Sequence, residues 1–344
     1  MTSRAAASMR DELQQAAAAV EWQARRLTEP LGALIERLHR RRPAMVMTCA
    51  RGSSAHAATF AKHLIERHLG IPVAAAAPNI ASVYGRSLNL KDQLFLSISQ
   101  SGRSDDLIET TAMARAAGAL TAAAVNDADS PLARASEIVL PLCAGPELSV
   151  AATKTFVASL AALLLMTARW ADDAAMEQSC ARLPNRLVQA AGLDWSEALG
   201  PLTHSNSVVV IGRGPTLAIA REAALKLKET CELHGEAFSA AEFHHGPITL
   251  VRDAYPILAF GANDEAAAGL TELVADLRRK GASVFIAESG ERRSGRLPTL
   301  APDHPDADAI CLVQSFYPFV VKLAERRGTA IDQPRHLKKI TRTR

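Results

Sequence analysis

The chain has 344 residues, 48% of them hydrophobic and 22% charged, with a net charge of +3. That length allows two domains with their own cores, and the small charge excludes a nucleic-acid binder resting on a basic surface. Five cysteines, odd in number and without a Cys-x-x-Cys pair, exclude a disulfide framework and predict a reducing, cytoplasmic setting.

In chain order, residues Met1 to His39 read as helical. Leu13, Val20, Leu27, Leu31 and Leu34 point inward, Pro30 interrupts the region, and Ala16 to Val20 is too short for the core of a secretion signal. Ala44 to Cys49 is the first predicted strand. Arg51-Gly52-Ser53-Ser54 and a helix through Glu66 follow it, and Gly70-Ile71-Pro72 closes the unit. Further strands are predicted at Val73–Ala77, Leu94–Ser99, Leu120–Val125 and Ile138–Leu142, with a helix from Asp105 to Ala117. Phe156 to Met166 is the longest apolar run. It is too short to span a bilayer, so it reads as a buried helix and no membrane partner is predicted.

The second half repeats the scheme. Strands are predicted at Val208–Ile211, Ile257–Phe260, Val284–Ile286 and Ile310–Val313, with a helix over Asp264–Lys280. Arg51-Gly52 after the first strand recurs as Arg213-Gly214, as duplication of one α/β unit would give. The predicted division is a helical segment over 1–40, an α/β domain over 41–175, a connector over 176–195, a second α/β domain over 196–330 and a tail over 331–344. Strands alternating with helices predict doubly wound, flavodoxin-like parallel sheets flanked by helices.

Two stretches carry the chemistry. In the first, Ser99-Gln100-Ser101-Gly102-Arg103-Ser104 joins a strand to a helix. Its hydroxyls and the free N–H groups of a helix start suit an anion such as a phosphate monoester; the plainer alternative is a serine that merely caps the helix. In the second, Gly212 and Gly214 open a helix that Thr216 is placed to cap. Glu222, Lys226 and Glu229 lie on one face of that helix. They read either as a solvated surface pair or as proton-transfer groups. Neither a GxxxxGK[ST] loop nor a zinc-type spacing around His234, Glu236 and His244 occurs, so no cofactor and no metal is predicted.

The motifs GRG, EAALKLKE, HGEAF, HHGP and DQPRHLKK fall in an order that resembles the sugar isomerase (SIS) family, represented by the isomerase half of glucosamine-6-phosphate synthase. The resemblance covers about Ala44 to the C-terminus and implies two tandem SIS domains. It assigns phosphate and sugar contacts to Ser53, Ser54, Ser99, Gln100, Ser101, Ser104, Val150 and Ala152; the synthase has a serine where Ala152 stands. It also implies that Glu229 is the base, that Glu222 and Lys226 support it, and that His245 opens the sugar ring from the neighbouring subunit of a homodimer. Lys339 matches the tail lysine that forms a Schiff base with the ketose. RGSSAHA, QSGRS, GPELSVAATK and HGEAF resemble the SIS-type glucosamine-6-phosphate deaminases. The residues begin Met-Thr-Ser-Arg, without the synthase's glutaminase cysteine, so the expected direction is ammonia release from a phosphorylated amino sugar. The alternatives are a galactosamine- or fructosamine-phosphate enzyme and a phosphosugar-binding regulator without turnover.

Overall fold

A computed structural model describes residues 8–337 and Lys339. Helices α1 (Met9–Gln14), α2 (Ala16–Arg26) and α3 (Thr28–Arg40) come first. The five residues predicted to point inward here are all buried. Pro30 interrupts nothing: it sits in the first turn of α3, where a missing N–H costs little, and the break falls at Leu27 instead.

Then follow β1 (Val46–Ala50), α4 (Ser53–Leu69), β2 (Val73–Ala75), α5 (Asn79–Ser82), β3 (Leu94–Ser99), α6 (Asp105–Ala116), β4 (Leu120–Val125), α7 (Pro131–Ala135) and β5 (Ile138–Pro141). Helices α8 (Lys154–Trp170), α9 (Ala174–Ala191) and α10 (Leu199–Thr203) lead to the second sheet. That half contains β6 (Ser207–Gly212), α11 (Pro215–Cys231), β7 (His234–Ser239), α12 (Ala240–Phe243), β8 (Pro256–Phe260), α13 (Ala267–Arg279), β9 (Ser283–Ala287), β10 (Arg296–Leu297) and α14 (Pro305–Arg327).

The chain forms two compact units. One, the N-terminal unit, comprises residues 15–147 and 154–181 with Lys339; the other, the C-terminal unit, comprises 8–14, 148–153 and 182–337. The N-terminal unit holds a parallel sheet of order β2-β1-β3-β4-β5, and the C-terminal unit one of order β10-β9-β8-β6-β7. Read from the opposite end, the second order matches the first position for position. Both are the doubly wound arrangement, in which ligands bind at the carboxyl ends of the strands.

In the N-terminal unit β3 is buried along its whole length, and α8 is buried at nearly every position. In the C-terminal unit Val209, Ile211, Ile257 and Ile286 of the sheet pack against Leu270, Leu273 and Leu277 of α13. Ile310–Val313 is not a strand: it lies inside α14. A four-residue apolar run looks alike in a buried helix and a buried strand, and Pro305 with the His304 side chain, which accepts from the Asp306 N–H, starts a helix there. Helix α14 is long and apolar enough to cross a bilayer, yet its apolar stretch is 89% buried within the fold, as a core helix requires.

Candidate active site

In the N-terminal unit, β1 and β3 are neighbours in parallel register. Their carboxyl ends therefore place Ser53 and Ser54, at the start of α4, on the same sheet edge as the Ser99–Ser104 turn. Gly52 lets the chain enter α4 with φ +54° and ψ −137°. Arg51 donates to Asp106 through Nε at 3.0 Å and Nη2 at 2.7 Å, which ties the first turn to the start of α6.

The serine turn is held from within. Ser99 is buried, and its Oγ accepts from the Gly102 N–H at 3.0 Å. Ser101 Oγ accepts from the Arg103 N–H at 3.3 Å. Gly102 has φ +63°, and a Cβ there would lie 2.1 Å from Ser130 Oγ, so only glycine fits. Ser104 is the N-cap residue of α6, but its side chain makes no cap hydrogen bond. The plain capping role is thus not the one it plays, and its hydroxyl stands beside the N–H groups of a helix start with a dipole that favours an anion. Gln100, Ser101 and Ser104 are partly exposed.

In the C-terminal unit, Gly214 repeats the entry geometry with φ +58° and ψ −131° before α11. Thr216 is not the cap. It sits inside the first turn, where its Oγ1 accepts from the Arg213 N–H at 3.0 Å and donates to the Phe260 carbonyl at 2.8 Å. Farther along α11, Lys226 Nζ donates to Glu229 Oε2 at 2.7 Å and lies 3.2 Å from Glu222 Oε1. Tyr317 of α14 lies 3.5 Å from the same Glu222 oxygen.

The side chains of Glu222 and Lys226 are 0% and 1% exposed, which rules out a solvated surface pair; Glu229 is 21% exposed. Burial works against the Lys226 ammonium, but the carboxylates of Glu222 and Glu229 outweigh it and hold its pKa above the ordinary lysine value. Lys226 is therefore a fixed cation, and Glu229 is the member of the triad that reaches outward.

His245 is exposed, in the turn after α12. Val150 and Ala152 belong to the 148–153 segment of the C-terminal unit, where Glu12 of α1 accepts from the Leu148 and Ser149 N–H groups. Lys339, in the N-terminal unit, stands 3.8 Å from Glu147, whose side chain is fully buried. Glu147, Tyr317 and Glu12 were not singled out from the sequence. Glu147 stood inside a motif already read, whereas Tyr317 and Glu12 gave no local signal because their partners are about a hundred residues distant.

The SIS domain family model matches residues 42–169 and 201–301. The glutamine–fructose-6-phosphate aminotransferase (isomerizing) of Symbiobacterium thermophilum is 34% identical over 318 residues, covering 87% of this chain and 51% of its own. The chain thus spans about half the length of the curated relatives it matches.

Among solved structures, a candidate phosphosugar isomerase from Silicibacter pomeroyi DSS-3 is 41% identical with a TM-score of 0.89, over 93% of this chain and 98% of that one. The C-terminal domain of glucosamine-fructose-6-phosphate aminotransferase from Francisella tularensis has a TM-score of 0.84 at 25% identity, over 95% and 98%. Glucosamine-6-phosphate deaminase from Thermotoga maritima shares the fold, with a TM-score of 0.73 at 20% identity over 96% and 100%. A match that covers most of both halves, on two parallel sheets of one strand order, places this chain in the SIS domain family.

Proposed function

We propose that the chain interconverts aldose and ketose forms of a phosphorylated amino sugar and releases its nitrogen, turning glucosamine 6-phosphate into fructose 6-phosphate and ammonia. The observation that carries this is the graded burial of the α11 triad: two sealed members, Glu222 and Lys226, behind a third, Glu229, that reaches solvent. A carboxylate held by a buried cation is a positioned base. The names of the relatives, which handle hexose phosphates and their amino derivatives, support the substrate class.

In this reading the phosphate is held by Ser53, Ser54, Gln100, Ser101 and Ser104 with the N–H groups at the start of α6, and Ser99 shapes their turn. Val150 and Ala152 line the sugar. His245, supplied by the second subunit of a homodimer, takes the C1 hydroxyl proton and returns one to the ring oxygen, a task for which an imidazole carries both an acceptor and a donor nitrogen. Glu229 takes the proton from C2 of the open aldose and returns it to C1. The C2 amine becomes an imine, water adds to C2, and ammonia leaves. Lys339, steadied by Glu147, is the tail amine facing the ketose carbonyl, and borohydride trapping of a sugar on it reads whether it bonds covalently.

The test is an ammonia-release assay across a panel of hexosamine phosphates without added metal or cofactor. Glu229→Gln is expected to lower turnover by about 10²–10⁴-fold while substrate binding persists. Full turnover in that variant would remove Glu229 as the base. Tight phosphosugar binding by the wild type with no turnover would replace the enzyme by a sensor.

A further inference from the structure

Duplication gives the C-terminal unit its own version of the sheet edge that carries the serine turn in the N-terminal unit, and this version is equipped differently. Strands β8 and β9 hold the places of β3 and β4 in the strand order. Beyond their carboxyl ends lies a cavity of about 410 Å³ bordered by Glu288, Ser289, Arg296 and Thr299. A recess of about 20 Å³ shares Glu288, Ser289 and Thr299 with it and ends on Arg186, Asp308 and Ser315. Ser289 Oγ lies 2.5 Å from Asn263 Oδ1, which joins the two strand ends.

Two arginine–carboxylate pairs line this space. Arg186 donates through Nη2 to Asp308 at 2.7 Å, and Arg296 donates through Nη2 to Glu288 at 2.6 Å. In both arginines the Nε–H is buried and makes no hydrogen bond with the described residues; an Asp303 carboxylate oxygen lies 4.0 Å from the Arg186 Nε. Buried donors left over in this way are uncommon, and here two of them border linked cavities. Gly290 makes room for the Arg296 guanidinium: it has φ +135°, and a Cβ on it would stand 2.3 Å from Arg296 Nη1.

The chemistry of the lining selects the ligand. The three arginines that line the two cavities, Arg186, Arg292 and Arg296, are matched by Asp194, Glu288 and Asp308, so the edge lacks the anion preference of the serine turn. Each pair sets an unpaired, buried donor beside carboxylate acceptors. Vicinal hydroxyl groups, which donate and accept at once, complement that arrangement, and the volume lies within the range of small-molecule sites. We propose that this cavity is a second binding site, for an unphosphorylated polyhydroxylated molecule of monosaccharide size, held by the Arg186–Asp308 and Arg296–Glu288 pairs. It requires neither Ser101 nor Glu229, so it stands or falls independently of the catalytic reading.

The test is saturation-transfer NMR and titration calorimetry of the full chain with D-glucose and, separately, glucose 6-phosphate. D-glucose is expected to bind the wild type and Ser101→Ala alike, and at least tenfold more weakly to Glu288→Gln and Gly290→Ala. Glucose 6-phosphate should instead lose affinity in Ser101→Ala. Arg296→Lys, which keeps the charge and removes the Nε–H, reads the same contact if Glu288→Gln does not fold. D-glucose binding that is absent from the wild type, unchanged in the cavity variants, or lost in Ser101→Ala would overturn the proposal; in the first case the two donors are met by water alone.

Discussion

Helices α4 and α11 occupy the same place in two sheets of the same order, and each runs 17 residues from a glycine of nearly the same backbone conformation. They differ in what they bury. Eight and twelve residues past Gly52, α4 puts Phe60 and Leu64 into its core; the same steps past Gly214 bring Glu222 and Lys226. All four are fully buried. The frame accepts apolar side chains at these positions, so it does not require the charges. Well-packed apolar residues in place of a buried ion pair are often neutral or stabilising. On the proposed function, the pair is explained by what it does for Glu229, whose counterpart on α4 is Arg67.

This comparison can be broken most forcefully at one carboxylate. Glu222→Leu alone removes one of the two carboxylates that face Lys226 among the described residues, and the expected loss in urea unfolding is about 3–5 kcal/mol. Adding Lys226→Leu, which makes α11 resemble α4, should recover that loss while turnover stays low. If the double variant were as unstable as the single one, the charges would be structural.

The turns after β3 and β8 sharpen the contrast next. Gly102→Ala must place a Cβ against Ser130 in a left-handed conformation, at a cost of about 2–4 kcal/mol, and phosphosugar affinity should fall with it. Asn263, which stands three residues past β8 as Gly102 stands past β3, is not among the positive-φ residues. Asn263→Ala should therefore cost well under half as much in the same thermal-unfolding comparison.

A pH series separates the two helices further. The Lys226 pKa is raised in the fold, so its contribution is complete below the unfolded lysine value of about 10.4. It is lost as the pH climbs from there through the raised folded value. Wild-type stability minus that of the Glu222→Leu/Lys226→Leu variant should fall over that interval; a flat difference would show that Lys226 is not held as a cation. The smallest effect lies where α11 ends. Glu232 adopts φ +49° at the C-cap, so Glu232→Gly should raise the melting temperature slightly, by up to about 1 kcal/mol of stability. At the end of α4 the corresponding residue, Gly70, is already a glycine.

Much of this architecture was legible because buried parallel strands are continuous apolar runs. Leu94–Ser99 and Leu120–Val125 were located to the residue for that reason. Strand β7, His234–Ser239, was not, because it is an edge strand with exposed positions and a polar composition, and it exists through its pairing with β6. Strand β10 is two residues long and offered no periodicity. The serine turn and the α11 triad were legible as patterns. Their alternatives, a helix cap and a surface pair, could be set aside only with the missing cap bond of the Ser104 side chain and the burial of Lys226 in hand.

By itself the sequence determined the duplicated α/β order, the glycine turns after β1 and β6, and the spacing that puts Glu222, Lys226 and Glu229 on one face. These follow from local rules, backbone sterics and helical periodicity, which act over a few residues. Only the tertiary structure decided that two of those three are sealed while one reaches out, that Tyr317 stands beside Glu222 and Lys339 beside Glu147, and that two arginine–carboxylate pairs meet beyond β8 and β9. Burial and pairing across a hundred residues depend on which surfaces the fold brings together, and no short window of sequence contains that information.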